Sequence, residues 1–223
     1  MAPVDPSAVT RPLRRAEALS STYRVQLRTP ASDPDGRGFT LAHVEELVPY
    51  LADLGVGSVY LSPILTATPG STHGYDVVDP TSISPDLGGI AALRSLRAAC
   101  RVHGLGIVVD IVPNHLGVED PSANPWWWDA LRRGPDSPHF SFFDFDTDPA
   151  NGADGRIALP VLGAPEDVAD LVVVPPSATD SGHPELGFHD HRFPLAPGTD
   201  GGSPQEAHDR QHYQLVHWRE PLL

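Results

Sequence analysis

Cysteine, positive charge and long apolar runs are all scarce in this chain of 223 residues. A single cysteine, Cys100, excludes a disulfide within the chain, so folding does not require an oxidising compartment. It falls in a helical pattern, where a buried structural thiol is expected rather than a nucleophile. Basic residues number 15 against 29 acidic ones, a formal net charge of -14. That balance argues against nucleic-acid binding, which depends on clustered basic residues.

Membrane-directed segments are lacking as well. No apolar run is long enough to cross a bilayer. Residues 1–20 contain arginines but no apolar core of the kind that secretory signals have. We therefore expect a cytoplasmic protein that binds neither membrane nor nucleic acid.

Proline and glycine, by contrast, are plentiful, with 25 and 20 residues. They are concentrated in residues 1–20 and 146–210, whereas residues 39–112 have a more regular pattern. We interpret the first segment as a mobile tail and the second as a loop-rich insertion with little regular structure.

Between the two segments, apolar residues recur with alternating strand and helix periods. The pattern predicts strands at 22–27, 57–64 and 106–112, helices at 39–55 and 90–104, and a loop at 65–88. The third strand is nearly all β-branched, which is typical of a strand covered on both faces. This order predicts parallel strands, arranged as part of a (β/α)8 barrel or as a doubly wound open sheet. In both, functional groups gather at the C-terminal ends of the strands.

Ionisable and aromatic residues cluster in the loop that follows the second strand. The stretch "TPGSTHGYDVVDP" (68–80) holds His73, Tyr75, Asp76 and Asp79. Taken singly, each has an ordinary explanation, such as a solvated histidine, a packing tyrosine or an aspartate that forms a turn. Their position together behind a strand favours a binding site instead.

The third strand brings a second polar group. Asp110 lies inside the β-branched run, where a carboxylate is costly unless it is hydrogen-bonded or paired. Asn114 and His115 follow just past the end of the strand. For Asn114 alone a turn-forming role is the simpler interpretation. Asp110 and His115 together favour a functional site beside the loop after the second strand.

Three adjacent tryptophans, Trp126, Trp127 and Trp128, cannot all face the same way. We expect at least two of them in the core of the inserted region, and the third is a candidate aromatic platform for a ligand near the mouth of the pocket. The histidines of the C-terminal part have irregular spacing and no partnering cysteine, which argues against zinc. They are His183, His189, His191, His208, His212 and His217.

Two segments resemble the α-amylase family of glycoside hydrolases and transglycosylases: "HGYD" after the second strand and "DIVPNH" at the end of the third. Longer stretches are similar to the maltooligosyltrehalose synthases of that family. They are "STYRVQL", "LVPYLADLGVGSVYLSPIL", "GSTHGYDVVDP", "DLGG", "DIVPNHLG", "NPWWWDAL" and "LPVLG". The similarity covers roughly residues 21–220, and "GSTHGYDVVDP" joined to "NPWWWD" is its most specific part.

The resemblance implies an α/β fold: the N-terminal part of a (β/α)8 TIM barrel, with its first three strands, and a loop-rich subdomain inserted after the third strand. We expect this portion of the barrel at 21–112 and the inserted subdomain at 113–205. Residues 206–223 would then begin the return to the barrel.

The resemblance also implies an isomerase that acts on maltooligosaccharides in trehalose biosynthesis. Such enzymes convert the α-1,4 bond at the reducing end into an α,α-1,1 bond by intramolecular transglucosylation. A carboxylate nucleophile and a second carboxyl group, acting as acid and then base, carry the reaction. No cofactor is implied, and the expected functional partner is the hydrolase that releases trehalose. Another hydrolase of the α-amylase family and a non-catalytic carbohydrate-binding remnant stay open as alternatives.

Site roles follow from the family pattern. Tyr75 is expected to stack on the glucose beside the scissile bond, and His73 and His115 to hydrogen-bond that glucose. Asp110 is expected to hold an arginine and a histidine of the site in place. Asp76 is expected to support the loop that carries the tyrosine.

Two further expectations concern what the chain lacks. Asn114 matches a calcium ligand of many family members, but partner oxygens are not evident, so we expect no metal. The family's nucleophile, acid/base and third aspartate lie on strands four, five and seven of the barrel. "HYQLVHWR" resembles the family and the final "EPLL" does not. We therefore expect an N-terminal fragment, inactive by itself, whose catalytic carboxylates lie beyond Leu223.

Overall fold

The computed structural model describes residues 21–178 and 182–219. The chain divides into two compact units, Met1–Gly117 and Val118–Leu223. The tail predicted at 1–20 lies outside the described residues. Within the part that is described, no helix combines the length and apolar character needed to cross a membrane.

The first unit alternates strands and helices. Its elements are β1 (Thr22–Val25), α1 (Leu41–Asp53), β2 (Ser58–Leu61), β3 (Leu65–Ala67), β4 (Val77–Ile83), α2 (Gly89–Val102) and β5 (Gly106–Val109). Strands β1, β2 and β5 form a parallel sheet with β2 in the centre. In its register Val25 pairs with Leu61, and Leu61 pairs with Val109. The carboxyl ends of the three strands therefore lie side by side.

An aliphatic core lies between this sheet and its helices. Helix α1 buries Leu41, Val44, Val48 and Leu51 completely, at the spacing that places them on one helix face. Val25 of β1 and the alternate residues Val59 and Leu61 of β2 join them from the sheet, because successive side chains of a strand point to opposite faces. Helix α2 contributes Leu96 and Cys100. His103, the residue after the end of the helix, is exposed.

Two expectations for the first unit are wrong. The predicted loop at 65–88 contains an antiparallel hairpin of β3 and β4, in which Ala67 pairs with Val77. Pro80 argues against a strand from the sequence alone, but the register of this pair is irregular and accommodates it. Asp110 lies one residue past β5, not inside it, although its N–H still donates to Leu61 O at 2.9 Å. Strand β5 is half-buried, since it pairs only with β2 among the described residues.

The second unit is built from shorter helices and from strands of similar length. They are α3 (Pro125–Arg133), β6 (Ile157–Leu162), β7 (Val172–Val174), β8 (Glu185–Phe188), β9 (His191–Pro194), α4 (Pro204–Asp209) and β10 (Tyr213–His217). Strands β7, β8 and β9 form an antiparallel sheet, and β6 pairs with β10 in parallel. Residues 146–210 thus contain more regular structure than their composition predicts. Because β10 pairs with β6, the segment predicted to return to the barrel packs within this unit.

Candidate functional site

Three distant segments of the first unit meet at the carboxyl ends of its parallel strands. The hydroxyl of Tyr75 donates a hydrogen bond to Asp110 Oδ2 at 2.7 Å. Arg24 Nη2, from β1, donates to Tyr75 Oη at 3.0 Å and lies 3.6 Å from Asp110 Oδ2. The sequence predicts that Asp110 lies beside the loop after the second strand, and in the structure Tyr75 of that loop contacts it. The residue that links them, Arg24, is one that the sequence analysis missed.

Arg24 belongs to a strand in which apolar and polar residues alternate, and that alternation is the signal that could have found it. Its guanidinium Cζ lies 5.5 Å from the ring centroid of Tyr60, its partner in the register of β1 and β2. Its Nη1 donates to Gln26 Oε1 at 2.9 Å. Charged and aromatic groups therefore share one face of the sheet.

The hydrogen bond to Asp110 also determines how Tyr75 ionises. Donation to the Asp110 carboxylate raises the pKa of Tyr75, and desolvation raises it further, while Arg24 opposes the shift by favouring the phenolate. The hydroxyl therefore stays protonated near neutral pH and remains a hydrogen-bond donor to Asp110.

Residues 68–76, here called the tyrosine loop, are closed by their own hydrogen bonds. Thr68 N donates to Asp76 O at 3.0 Å, which brings the two ends of the loop together. Ser71 Oγ donates to the Asp76 carboxylate and accepts from Gly74 N at 3.0 Å. Gly74 has φ +77°, and a Cβ atom there would lie 3.2 Å from Pro63 O. The loop is thus held in shape without a bound ligand.

His73 lies at the exposed tip of the tyrosine loop. Its Nδ1 accepts a hydrogen bond from Tyr75 N at 3.1 Å and lies 3.6 Å from Asp76 Oδ1. Its ring centroid is 5.9 Å from that of Tyr75. The structure therefore brings His73, Tyr75 and Asp76 into one group whose polar edge faces solvent.

Asp79, by contrast, forms a turn. Its carboxylate accepts hydrogen bonds from Thr81 N, Thr81 Oγ1 and Ser82 Oγ at 2.8, 2.6 and 2.6 Å. Burial by itself would raise the pKa of Asp79, but these hydrogen bonds together lower it below the ordinary value. The ordinary explanation for an aspartate in this stretch applies to Asp79.

The segment after β5 passes directly beside the tyrosine loop. Gly117 N donates to Val77 O at 2.8 Å. A Cβ atom at Gly117 would lie 2.9 Å from both Asp76 O and Thr68 Oγ1. Asn114 and His115, earlier in this segment, are exposed, and their side chains make no hydrogen bond with any other residue in the described ranges. The predicted roles of these two residues therefore stay predictions.

Metal binding has little local support. Over residues 21–178 and 182–219, no group of three or more His, Cys, Asp or Glu residues is arranged to hold a metal ion.

The three tryptophans lie on α3 in the second unit and differ in exposure. Asn124 Oδ1 caps the helix by accepting from the N–H groups of Trp126 and Trp127, both at 3.1 Å. Trp127 is buried in the core of the unit. Trp126 is half-buried and stacks on His139, with centroids 5.6 Å apart. Trp128 is also half-buried. Only one of the three is therefore fully in the core.

Comparisons with known proteins agree on one family. The family profile described as "Alpha amylase, catalytic domain" matches residues 28–160. A "Putative maltooligosyl trehalose synthase" of Mycobacterium tuberculosis (strain CDC 1551 / Oshkosh) is 52% identical over 202 residues, covering 91% of this chain and 25% of that protein. The "Malto-oligosyltrehalose trehalohydrolase" of Brevibacterium helvolum is 36% identical over 104 residues, 47% of this chain and 17% of that protein.

Solved structures point the same way. The structure of maltooligosyltrehalose synthase from Arthrobacter ramosus matches with a TM-score of 0.77 and 46% identity. The match covers 89% of this chain and 24% of that one. This chain therefore spans about a quarter of the length of the synthases that it resembles.

Proposed function

The chain belongs to the α-amylase family, and we propose that it forms part of a maltooligosyltrehalose synthase. Its α/β fold is of the TIM-barrel type. The observation that carries the proposal is the 52% identity to the synthase-like protein of M. tuberculosis across 91% of this chain. The complete enzyme would convert the reducing-end α-1,4 bond of a maltooligosaccharide into an α,α-1,1 bond, with the released glucose as acceptor.

Within that enzyme, the first unit would supply the first three parallel strands of the (β/α)8 barrel. The order β1-β2-β5, with a helix after each of the first two strands, supports this assignment. The second unit would be the loop-rich subdomain inserted after the third strand. We place the boundary between them after Gly117, where the chain divides, rather than at residue 112.

Substrate binding is assigned to the group around Tyr75. A glucose unit offers hydroxyls and an apolar ring face, and an aromatic ring with polar neighbours suits both. Tyr75 would stack on the sugar, and His73 and His115 would hydrogen-bond its hydroxyls. Asp76 would support the tyrosine loop through its contacts with Ser71 and Thr68. These roles need side chains that a sugar can reach, and His73 and His115 are exposed while Tyr75 is half-buried.

Asp110 would act through its neighbours. It accepts the Tyr75 hydroxyl and lies beside Arg24, so its side chain is occupied within the first unit. Trp126 and Trp128, the two half-buried tryptophans of α3, are the remaining candidates for a sugar platform. Trp127 is not, because its ring is inside the core.

Catalysis would need groups that we do not find in the described site. A retaining mechanism uses two carboxyl groups about 5 Å apart, one of them free to attack the sugar. Asp110 is bound to Tyr75 and Asp76 is bound to Ser71. The synthases are about four times as long as this chain, and we place their catalytic pair in the part that it does not cover.

The test uses the purified 223-residue chain with maltopentaose. We expect binding, followed by NMR titration, but neither a non-reducing product nor released glucose. Tyr75→Ala should abolish binding, whereas Tyr50→Ala, at an exposed position of α1, should not. Turnover would overturn the assignment of catalysis to another part of the enzyme. Binding that survives Tyr75→Ala would overturn the assignment of the sugar site.

A hydrolase of the same family is the second candidate. The observation in its favour is the 36% identity to the trehalohydrolase of B. helvolum, although over only 47% of this chain. The two candidates differ in product: the synthase yields a chain ending in trehalose, and the hydrolase releases a smaller sugar.

We also propose a trehalose-releasing hydrolase as the enzyme that consumes the synthase's product. The third alternative is a carbohydrate-binding remnant. It would bind sugar, but neither product would form even when the chain is part of a longer protein.

A further inference from the structure

The Arg24 side chain contacts four other side chains, although strand pairing in the sheet needs only its backbone. Its two terminal nitrogens serve different partners, Nη1 bonding Gln26 and Nη2 bonding Tyr75. Its guanidinium lies over Tyr60 and within 3.6 Å of Asp110 Oδ2. None of these contacts adds to the aliphatic core, and the side chain is 41% exposed.

The strand itself dictates where Arg24 points. Its neighbour Val25 is buried in the core with the helices, so Arg24 lies on the opposite face of the sheet. Tyr60 is on that same face because it pairs with Arg24 in register. The Arg24 guanidinium therefore lies at the carboxyl ends of the strands, beside Tyr75 and Asp110.

We propose that Arg24 is the positioning residue for Tyr75. It holds the phenol oxygen between its own guanidinium and the Asp110 carboxylate, and so sets the plane of the ring on which a glucose unit stacks. Tyr75 donates its one proton to Asp110, and the lone pairs of its oxygen accept from Arg24. With both bonds made, rotation of the hydroxyl and tilting of the ring are restricted. The inference about sugar stacking rests on the proposed function.

Arginine suits this task better than lysine. The planar guanidinium can donate to Gln26 and Tyr75 from separate nitrogens while stacking on Tyr60. A lysine ammonium keeps the charge but is a single point with flexible donors. Arg24→Lys should therefore retain the electrostatic part of the effect and lose the geometric part.

The first test does not depend on sugar. The chain contains five tyrosines, so ring-labelled tyrosine NMR resolves them, and the Tyr75 signal is assigned by its loss in Tyr75→Phe. Arg24 favours the phenolate, so Arg24→Gln should raise the pKa of Tyr75, and Asp110→Asn should lower it. Arg24→Lys should leave that pKa between the wild-type and Arg24→Gln values. If Arg24 only stabilised the fold, Arg24→Gln and Asp110→Asn would not shift the pKa of Tyr75 in opposite directions.

The second test measures maltopentaose binding. Losing one hydrogen bond to the ring hydroxyl should weaken binding by about three- to tenfold in Arg24→Gln, with Arg24→Lys between. Arg37→Gln, which removes an exposed charge elsewhere in the first unit, is the matched control and should bind like the wild type. Circular dichroism establishes that each variant is folded. If Arg24→Gln does not fold, the Arg24→Lys titration decides.

The outcomes separate the two proposals. If the wild type fails to bind maltopentaose, the proposed function is wrong, and the tyrosine titration still decides whether Arg24 positions Tyr75. If the pKa of Tyr75 is the same in the wild type, Arg24→Gln and Arg24→Lys, the positioning role is wrong, whatever the sugar does. If the variants shift the pKa of Tyr75 but bind maltopentaose as tightly as the wild type, Arg24 orients Tyr75 only in the absence of sugar. That result would overturn its role in stacking.

Discussion

The two units of this chain use aromatic residues in opposite ways. In the first unit the buried core is aliphatic apart from Cys100, and the rings of Tyr60 and Tyr75 lie half-buried on the site face of the sheet. In the second unit aromatic rings are part of the buried core, together with leucine, isoleucine and alanine side chains. Its buried aromatic members are Trp127, Phe188, Phe193 and Tyr213. An aromatic residue therefore marks a site only where other side chains already supply the core.

The difference follows from the length of the elements. Helices α1 and α2, with 13 and 14 residues, present several aliphatic side chains on one face. The helices of the second unit have only 9 and 6 residues, so each core-facing position has to cover more area. One aromatic side chain buries about 150–250 Å², so a few rings can close a core that short elements could not.

The largest effect that this comparison predicts is for Trp127→Ala. Removing a buried aromatic side chain should lower the free energy of unfolding of the second unit by about 3–5 kcal/mol. All four tryptophans lie in Val118–Leu223, so tryptophan fluorescence in urea reports on this unit alone. Trp126→Ala removes the same side chain from a half-buried position and should cost clearly less. Equal losses would show that the core is not organised around Trp127.

A smaller loss is expected in the first unit for Gly117→Ala. Its Cβ would come within 2.9 Å of Asp76 O and Thr68 Oγ1, so the tyrosine loop or the segment after β5 has to move. Overpacking of this kind costs about 1–3 kcal/mol. Gly201→Ala, in the second unit, is the control for adding a methyl group in open space, since nothing lies within 4 Å of its Cβ. It should be close to neutral.

Cys100 provides the measurement for the first unit. It is the only cysteine and is buried there, and desolvation, helped by Glu45, raises its pKa to about 11. Its reaction with a disulfide reagent at pH 8 therefore requires opening of the unit. Labelling should be faster in Gly117→Ala than in the wild type and unchanged in Gly201→Ala. Unchanged labelling in both would mean that the loop contact does not limit stability.

Acid should weaken the second unit through His208, by at most about 1.4 kcal/mol per pH unit for this one proton. The buried Nε2 of His208 accepts from Leu215 N at 2.9 Å, which requires the neutral ring. Burial lowers the pKa of His208; Asp209 opposes this and Arg156 adds to it. The unfolded chain therefore takes up the proton first. Stability should be full above about pH 6.5 and fall as the pH drops from there to the folded pKa.

Urea unfolding followed by tryptophan fluorescence between pH 5 and 7.5 measures this loss. His208→Gln should remove most of the slope, because no imidazole remains to be protonated. His103→Gln, at the exposed position that follows α2, should leave it unchanged. A slope that persists in His208→Gln would assign the acid sensitivity to other groups.

Sequence patterns were informative where the determining interactions are local. The helix predicted at 39–55 is observed as Leu41–Asp53, because its apolar spacing and the glycine after it are properties of one segment. The meeting of Tyr75 and Asp110 followed from the rule that parallel strands end at the same edge. The hairpin of β3 and β4 did not, since an irregular pairing around Pro80 leaves no simple alternation.

Contacts made by single side chains across the sheet were beyond the reach of the pattern. The alternation of β1 can place Arg24 on the face opposite Val25, but its contacts with Tyr60 and Tyr75 depend on the strand register and on the fold of the tyrosine loop. Trp126, Trp127 and Trp128 could be divided between core and surface in principle, but their order depended on the cap at Asn124, which sets the rotation of α3. Strand register and helix rotation change if the first residue of the element is misplaced by one, and sequence patterns do not locate it that closely.

The smallest effect is expected for Tyr75→Phe in the first unit, and the same change at Tyr213 in the second unit is its comparison. Each change removes one hydroxyl and keeps the ring. In Tyr75→Phe the partners Arg24 and Asp110 remain open to water, so the free energy of unfolding of the first unit should change by less than about 1 kcal/mol. In Tyr213→Phe the lost hydroxyl leaves Pro194 O, which it bonds at 3.0 Å, buried without that donor, at a cost of about 1–3 kcal/mol. Circular dichroism follows the first change and tryptophan fluorescence the second. A larger loss for Tyr75→Phe than for Tyr213→Phe would mean that the site face contributes to folding as much as the core does.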